Sequence, residues 1–160
     1  NRNNFSNNKK LKIYISRQNT KYRNIVNEDD LIKLLKTNGY RIIDLNHFTI
    51  RNQISLFANA EIIISPTGSS LANIIFCQPG TKILEIAPQY KYEYENDLNH
   101  RYEHLSKIIG LEYIKVIADS IKIKKHSPMA EKYIDKKVLN ESMYYSDLIV
   151  KINNFKKLIT

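Results

Sequence analysis

Tryptophan is absent from the 160 residues, and cysteine occurs once, at Cys77. A single thiol cannot close an intramolecular disulfide or build a cysteine zinc site, so the expected compartment is a reducing cytoplasm. Long apolar runs are also missing. Those present are short stretches such as Ile62-Ile63-Ile64, far below the roughly 20 residues that a bilayer-crossing helix needs, and no transmembrane segment is expected. No charged-then-apolar leader is present either: the chain opens on Asn1-Arg2-Asn3-Asn4 rather than on Met, which reads as a fragment or a processed piece. With 42% hydrophobic and 26% charged residues the composition is neither disordered nor collagen-like, and the length suits one packed domain.

Positive charge is what the sequence has in excess. Lys+Arg total 25 against 16 Asp+Glu, a net +9, which can steer a protein towards nucleic acid, an anionic membrane face or a phosphorylated ligand. Charge alone does not choose among them. Most of the lysines, including Lys122-Lys124-Lys125 and Lys136-Lys137, read as solvated surface in a composition rich in Lys, Ile and Asn.

Apolar periodicity places the elements. Leu11 to Ser16 reads as a strand that ends at Arg17 in a polar loop. Asn27 followed by Glu28, Asp29 and Asp30 reads as a helix start, because Asn can cap an orphan amide and acids favour the positive end of the dipole. Leu31, Leu34 and Leu35 mark its buried face, Gly39 its left-handed end, and Ile42-Ile43 with Leu45 a second strand. A helix from about Ile50 to Asn59, inward through Ile54, Phe57 and Ala58, leads to Glu61–Ser65, a continuous apolar run of the kind buried on both faces. Ser69 to Cys77 reads as a small-residue helix, Ile83 to Ala87 as a fourth strand, Glu95 to Ile109 as a helix and Glu112 to Ile117 as a fifth strand. This alternation predicts an α/β fold with a Rossmann-like, doubly wound parallel sheet and ligands at the carboxyl ends of its strands. Beyond Ala118 a basic excursion to Tyr145, an extended piece Leu148 to Ile152 and a closing helix are expected.

Three loops at strand ends carry chemistry. Arg17 and Arg23 offer guanidinium forks that hold phosphate oxygens and never lose charge. At Thr67-Gly68-Ser69-Ser70 a helix opens directly after a buried strand, where free amides, the dipole and hydroxyls suit a diphosphate. Glu85, near the end of the fourth strand, is placed to accept from ribose hydroxyls. Each also has an ordinary reading: a surface arginine, an N-cap by Thr67 or Ser69, a partner for a nearby lysine.

Taken in order, Ile15-Ser16-Arg17, Arg23, Asn27-Glu28, Asn52-Gln53, Ala60, Ser65-Pro66-Thr67-Gly68-Ser69-Ser70-Leu71-Ala72-Asn73, Phe76, Pro79-Gly80 and Glu85 resemble the carboxy-terminal half of glycosyltransferase family 61. The resemblance is firm from about Lys12 to Pro88, and Gly110-Leu111-Glu112-Tyr113 fits the family's fifth strand. It implies one half of a two-domain GT-B enzyme, inverting and metal-independent, whose Rossmann-like domain holds a nucleotide sugar as substrate, with no cofactor and no metal. Residues 1–10 would then be disordered or a linker, 11–118 the donor-binding domain, and 119–160 an excursion and helix packed on it. Carried over by position, Arg17 and Arg23 face the diphosphate, and Asn27, Glu28 and Gln53 shape the donor site. Thr67, Gly68, Ser69, Ser70 and Asn73 form the phosphate-facing helix start, and Glu85 is the strand-end acid. Many family members have His-Gly-Ala where this chain has Thr67-Gly68-Ser69, and a hydroxyl supplies neither the proton nor the charge of an imidazole.

In inverting transfer the leaving nucleoside diphosphate gains negative charge while an acceptor hydroxyl must lose its proton. Arginines and a helix terminus serve the first task, and no Asp-x-Asp pair is present to hold a cation. The base and most contacts to a glycan acceptor would lie in a missing amino-terminal domain. The pathway implied is surface polysaccharide synthesis, with peripheral contact to a membrane face and no nucleic-acid partner. Two readings compete. His100-Arg101-Tyr102-Glu103-His104 has the H-x-x-E-H form of inverted zinc peptidases, which points to a zinc hydrolase using His100, Glu103 and His104. The +9 charge and eleven tyrosines, among them Tyr90, Tyr92 and Tyr94 and the pair Tyr144-Tyr145, point to a basic nucleic-acid module, although no known RNA- or DNA-binding pattern frames them. Tyr90 to Tyr94 are equally placed to stack on a nucleotide base or sugar.

Overall fold

The structure, a computed structural model, describes residues 10–18, 20, 23–89, 93–121 and 146–159, with 93–99 as backbone alone. Most of the expected amino-terminal linker, the side chains of the Tyr90–Tyr94 cluster, and the excursion over 122–145 with its lysines and Tyr144-Tyr145 lie outside the described residues.

The elements are β1 (Leu11–Ile15), α1 (Glu28–Thr37), β2 (Arg41–Ile43), α2 (Ile50–Ala58), β3 (Ala60–Pro66), β4 (Lys82–Pro88), α3 (Glu93–Ile109), β5 (Glu112–Ile121), β6 (Asp147–Ile149) and α4 (Ile152–Ile159), with 3-10 segments at Leu45–His47 and Ser69–Phe76. The strands form one sheet in the order β2-β1-β3-β4-β5-β6. β1 to β5 pair in parallel. β6 pairs antiparallel with Asp119–Ile121 at the far end of β5, which corrects the wholly parallel expectation and extends β5 past its predicted end at Ile117.

The central strands β1, β3 and β4 are buried on both faces, which is why β3 reads as an unbroken apolar run rather than an alternating one. On one face Ile13, Ile15, Ile63 and Ile83 meet Leu56 and Phe57 of α2, Leu71 and Ile74 of the long 3-10 segment, and Tyr102 of α3. On the other, Tyr14, Ile64, Leu84 and Ile86 meet Leu31 and Leu35 of α1 and Phe155 and Ile159 of α4. Ile13 and Ile63 are fully buried, and each such side chain contributes about 1.5 to 3 kcal/mol relative to exposure.

Local signals explain most boundaries. After α1 the Tyr40 amide donates to the Leu35 carbonyl at 3.0 Å and the Gly39 amide to Lys36 at 3.1 Å. With Gly39 at φ 81, this is the paired closure that a left-handed glycine permits. β2 stops before Leu45 because Asp44 accepts from the Asn46 amide at 3.0 Å and caps a 3-10 turn instead. α2 turns Leu56 and Phe57 inward and leaves Ile54 exposed, so the face expected from Ile54 and Ala58 is rotated. Ser69–Phe76 winds as a 3-10 helix rather than as an α-helix. Among the described residues no helix is long and apolar enough to cross a membrane.

Candidate functional site

The chain leaves β1 for β2 on one side and later returns to β3 on the other side of β1. Where connections diverge in this way, the loops at the carboxyl ends of the strands part and leave a crevice. The Ser16 amide, donating to the Ile43 carbonyl at 2.8 Å, carries the β1–β2 pairing one residue further. Three polar segments therefore stand side by side: Asp44 after β2, Ser16 and Arg17 after β1, and Gly68 to Ser70 after β3. They enclose a cavity of about 330 Å³.

Arg17 lies at the centre of this arrangement, and Gly68 makes room for it. A Cβ at Gly68 would collide with Nη1 of Arg17 and sit 3.3 Å from its Cζ. Gly68 has φ 164, extended backbone open to any residue, so the glycine is required by the approach of the guanidinium and not by its own conformation. The Gly68 carbonyl is fixed from below, accepting from the Tyr102 hydroxyl at 2.6 Å and from the Leu71 amide at 3.1 Å. A permanent cation is thus held against the first turn of a helix whose leading amides have no acceptor within the helix.

The remaining walls are polar. Asn73 donates to Oε1 of Gln53 at 3.0 Å, and Gln53 in turn donates to the Phe48 carbonyl at 3.1 Å, tying the long 3-10 segment to the turn after β2. Ser70 Oγ lies 3.4 Å from Ser65 Oγ. Thr20 closes the Arg17 loop, its amide and hydroxyl both donating to the Arg17 carbonyl at 3.0 and 2.9 Å. Of the residues singled out in the sequence, Arg17, Gln53, Ser69, Ser70 and Asn73 line this cavity.

The others stand elsewhere. Thr67 is buried, and its amide donates to the Ile86 carbonyl, so it serves the β3–β4 junction. Asn27 caps nothing: it donates to the Val150 carbonyl at 2.8 Å and accepts from the Val150 amide at 3.0 Å, clamping the segment before α4. Glu28 is buried behind β1, accepting from the Tyr14 hydroxyl at 2.7 Å and the Arg17 amide at 3.3 Å. It positions the arginine's backbone without lining the cavity. Arg23 adopts φ 58 in the loop beyond the lining residues. Glu85 occupies the middle of β4 at 2% exposure and accepts from the Tyr113 hydroxyl at 2.5 Å, so its carboxylate is spent on β5 rather than on the strand end.

Ser16, Thr20, Asp44 and Asn46 also line the cavity and escaped the sequence reading. For Asp44 the signal was available: an acid directly after an Ile-Ile strand, two residues before Asn. Reading the strand through to Leu45 hid it.

The H-x-x-E-H run forms a surface patch on α3. His100 Nδ1 lies 2.8 Å from Glu103 Oε2, the rings of His100 and His104 stack at 6.0 Å, and Lys115 Nζ is 3.9 Å from the same carboxylate. The hydrogen bond from His100, and then the nearby cations, hold the Glu103 carboxyl below its ordinary pKa. Glu103 is thus engaged as an ion-pair partner, and among the described residues no three His, Cys, Asp or Glu are grouped to hold a metal ion.

The sequence profile of the family described as Glycosyltransferase 61 matches residues 1–84, a span that contains every cavity residue named above. The chain belongs to glycosyltransferase family 61. It is 30% identical over 103 residues to the EGF domain-specific O-linked N-acetylglucosamine transferase of Drosophila melanogaster, covering 62% of this chain and 18% of that protein. Against the Mus musculus protein of the same name it is 26% identical over 110 residues, covering 66% of this chain and 20% of the relative. The chain thus spans about a fifth of the length of the curated relatives it matches. The segments around Arg17, Gln53 and Ser69, all within the matched residues, line the same cavity.

Proposed function

We propose that this chain is the nucleotide-sugar-binding domain of an inverting, metal-independent glycosyltransferase, one Rossmann-like half of a GT-B enzyme. One observation carries the reading: the Arg17 guanidinium occupies the space that Gly68 leaves open, at the mouth of the helix beginning at Ser69 and within a polar cavity of about 330 Å³. Strand order 2-1-3-4-5 with helices on both faces agrees with a doubly wound sheet, in which a ligand sits at the divergence between the first and third strands.

The division of labour follows from charge. As the bond from the anomeric carbon to the diphosphate breaks, negative charge grows on the leaving oxygens. Arg17, the leading amides of the helix and the hydroxyls of Ser69 and Ser70 stabilise that charge without a divalent cation. The acceptor hydroxyl attacks from the opposite face of the sugar, and its proton goes to a base outside this chain. Cys77, buried and unpaired, suits a reducing cytoplasm, and the pathway we infer from family likeness is surface polysaccharide synthesis. The names of the relatives favour a second acceptor class, a protein, with N-acetylglucosamine as the sugar.

The test is a thermal-shift screen of nucleoside diphosphates and nucleotide sugars, with and without a chelator. A binder raises the melting temperature by mass action. The reading predicts a shift that survives the chelator and shrinks in Arg17→Ala. A shift that requires metal, or that is undiminished in Arg17→Ala, contradicts it. The same screen with mono- and polysaccharide acceptors against a folded EGF-type domain separates the two acceptor classes.

A further inference from the structure

Glu85 accepts from Tyr113 in mid-strand, which leaves open what recognises the hydroxyl-bearing part of the donor. We infer that Asp44 does so: its carboxylate receives the vicinal ribose hydroxyls of the bound nucleotide. The inference rests on the donor-site reading above and adds the orientation of the ligand within it.

Asp44 is the one carboxylate that lines the cavity among the described residues. It follows β2 directly, and β2 is the strand beside β1 on the side away from β3. Arg17 therefore lies between Asp44 and the helix opening at Ser69. The cavity is divided by chemistry along that line. Towards β3 it presents a guanidinium, two serine hydroxyls and helix amides, donors that suit phosphate oxygens. Towards β2 it presents a carboxylate, an acceptor that repels phosphate and pairs with hydroxyl donors.

The carboxylate is already oriented. Oδ1 accepts from the Asn46 amide at 3.0 Å, and Oδ2 lies 3.6 Å from Nε2 of the exposed His47. A carboxylate accepts at about four lone-pair sites, so the contacts that hold Asp44 and a diol's hydroxyls can share one group. A diol also discriminates: two adjacent hydroxyls forked onto one carboxylate are lost together when the sugar lacks them. The ligand then runs with its diphosphate against Arg17 and Ser69, its ribose at Asp44, and its base beyond, towards Leu45 and Asn46.

The experiment is calorimetry on the full chain with the ribonucleoside diphosphates of adenine, guanine, cytosine and uracil, the 2′,3′-dideoxy counterpart of the tightest of them, and inorganic pyrophosphate. The wild type is expected to bind the ribonucleotide about 10- to 100-fold more tightly than its dideoxy counterpart, the loss of charge-assisted hydrogen bonds. Asp44→Asn keeps an oxygen for the Asn46 amide, and so the turn, and is expected to shrink that ratio to within a few-fold while pyrophosphate affinity is unchanged or higher. A ratio that stays the same in Asp44→Asn, with binding still weakened by Arg17→Ala, overturns the role of Asp44 and leaves the donor site standing. Absence of binding by every nucleotide overturns both. Asp44→Ala, checked for folding by its thermal transition, gives the same ratio test where Asn substitutes too well.

Discussion

The Tyr14 hydroxyl donates to Oε1 of Glu28 at 2.7 Å, and the same oxygen accepts from the Arg17 amide at 3.3 Å. A carboxylate at 3% exposure is costly to bury unless such donors surround it. This one fastens the end of β1 to the start of α1 and so fixes where Arg17 departs. Tyr14→Phe removes one donor and is expected to lower stability by about 1 to 3 kcal/mol, read as a fall in the thermal midpoint. A midpoint equal to wild type would mean that the pair holds nothing.

Alkaline pH should weaken the fold in a defined window. Burial first, then the Glu28 carboxylate, push the Tyr14 phenol well above its usual pKa of 10.0. Burial raises Tyr40 to about 12 and Cys77 from 9.0 to about 12. A pKa raised in the folded state gives stability that is complete below the unfolded value and lost as pH climbs through the folded one. Stability measured by denaturant is therefore expected to be flat from neutral pH to about pH 9 and to fall towards pH 12, and Cys77→Ala should remove the part that begins near pH 9. Stability that rises over this interval would contradict these assignments. The same burial predicts that Cys77 resists thiol reagents at pH 8 until the protein unfolds.

Gly68→Ala separates local backbone needs from the needs of the site. The extended backbone at 68 accepts alanine without strain, so stability is expected to change by less than about 1 kcal/mol. The new Cβ displaces the Arg17 guanidinium, and nucleotide affinity should fall nearly as far as in Arg17→Ala. A variant that binds normally would show that the close approach of Arg17 is irrelevant to the ligand.

Asn27 and Val150 exchange two hydrogen bonds across 123 positions of sequence, and the Leu148 amide adds another to the Asn24 carbonyl at 2.8 Å. The segment before α4 is thus a strap over the loop that carries Arg17. Asn27→Ala is expected to cost about 1 to 3 kcal/mol and to speed hydrogen exchange in residues 146–159 ahead of the central strands. Exchange that accelerates uniformly across the sheet would argue against a separate strap.

Much of this architecture was legible because local and long-range signals agreed. Ile62 to Ile64 announced a strand buried on both faces, and Gly39 announced the end of α1, since only one backbone conformation closes that turn. The order Arg17, Gln53, Ser69, Asn73 carried the family likeness, and those residues do line one cavity. What escaped depended on partners distant in the chain. Nothing near Asn27 reveals that Val150 claims its amide, and nothing near Glu85 reveals Tyr113 on the neighbouring strand. The extended piece expected over Leu148 to Ile152 is strand only at Asp147–Ile149, where β5 extends beside it, and α4 already begins at Ile152. Asp44 was a local error, a strand read one turn too far.

The most direct test of the account is calorimetric titration of the tightest-binding nucleoside diphosphate into wild type and Arg17→Ala, both verified as folded. Loss of the guanidinium is expected to weaken binding by about 1.5 to 3 kcal/mol, roughly 10- to 150-fold, with the thermal midpoint of the free protein little changed. Equal affinities in the two proteins would remove Arg17 from the site, and with it the claim that a fixed cation against the Gly68 backbone grips the donor's diphosphate.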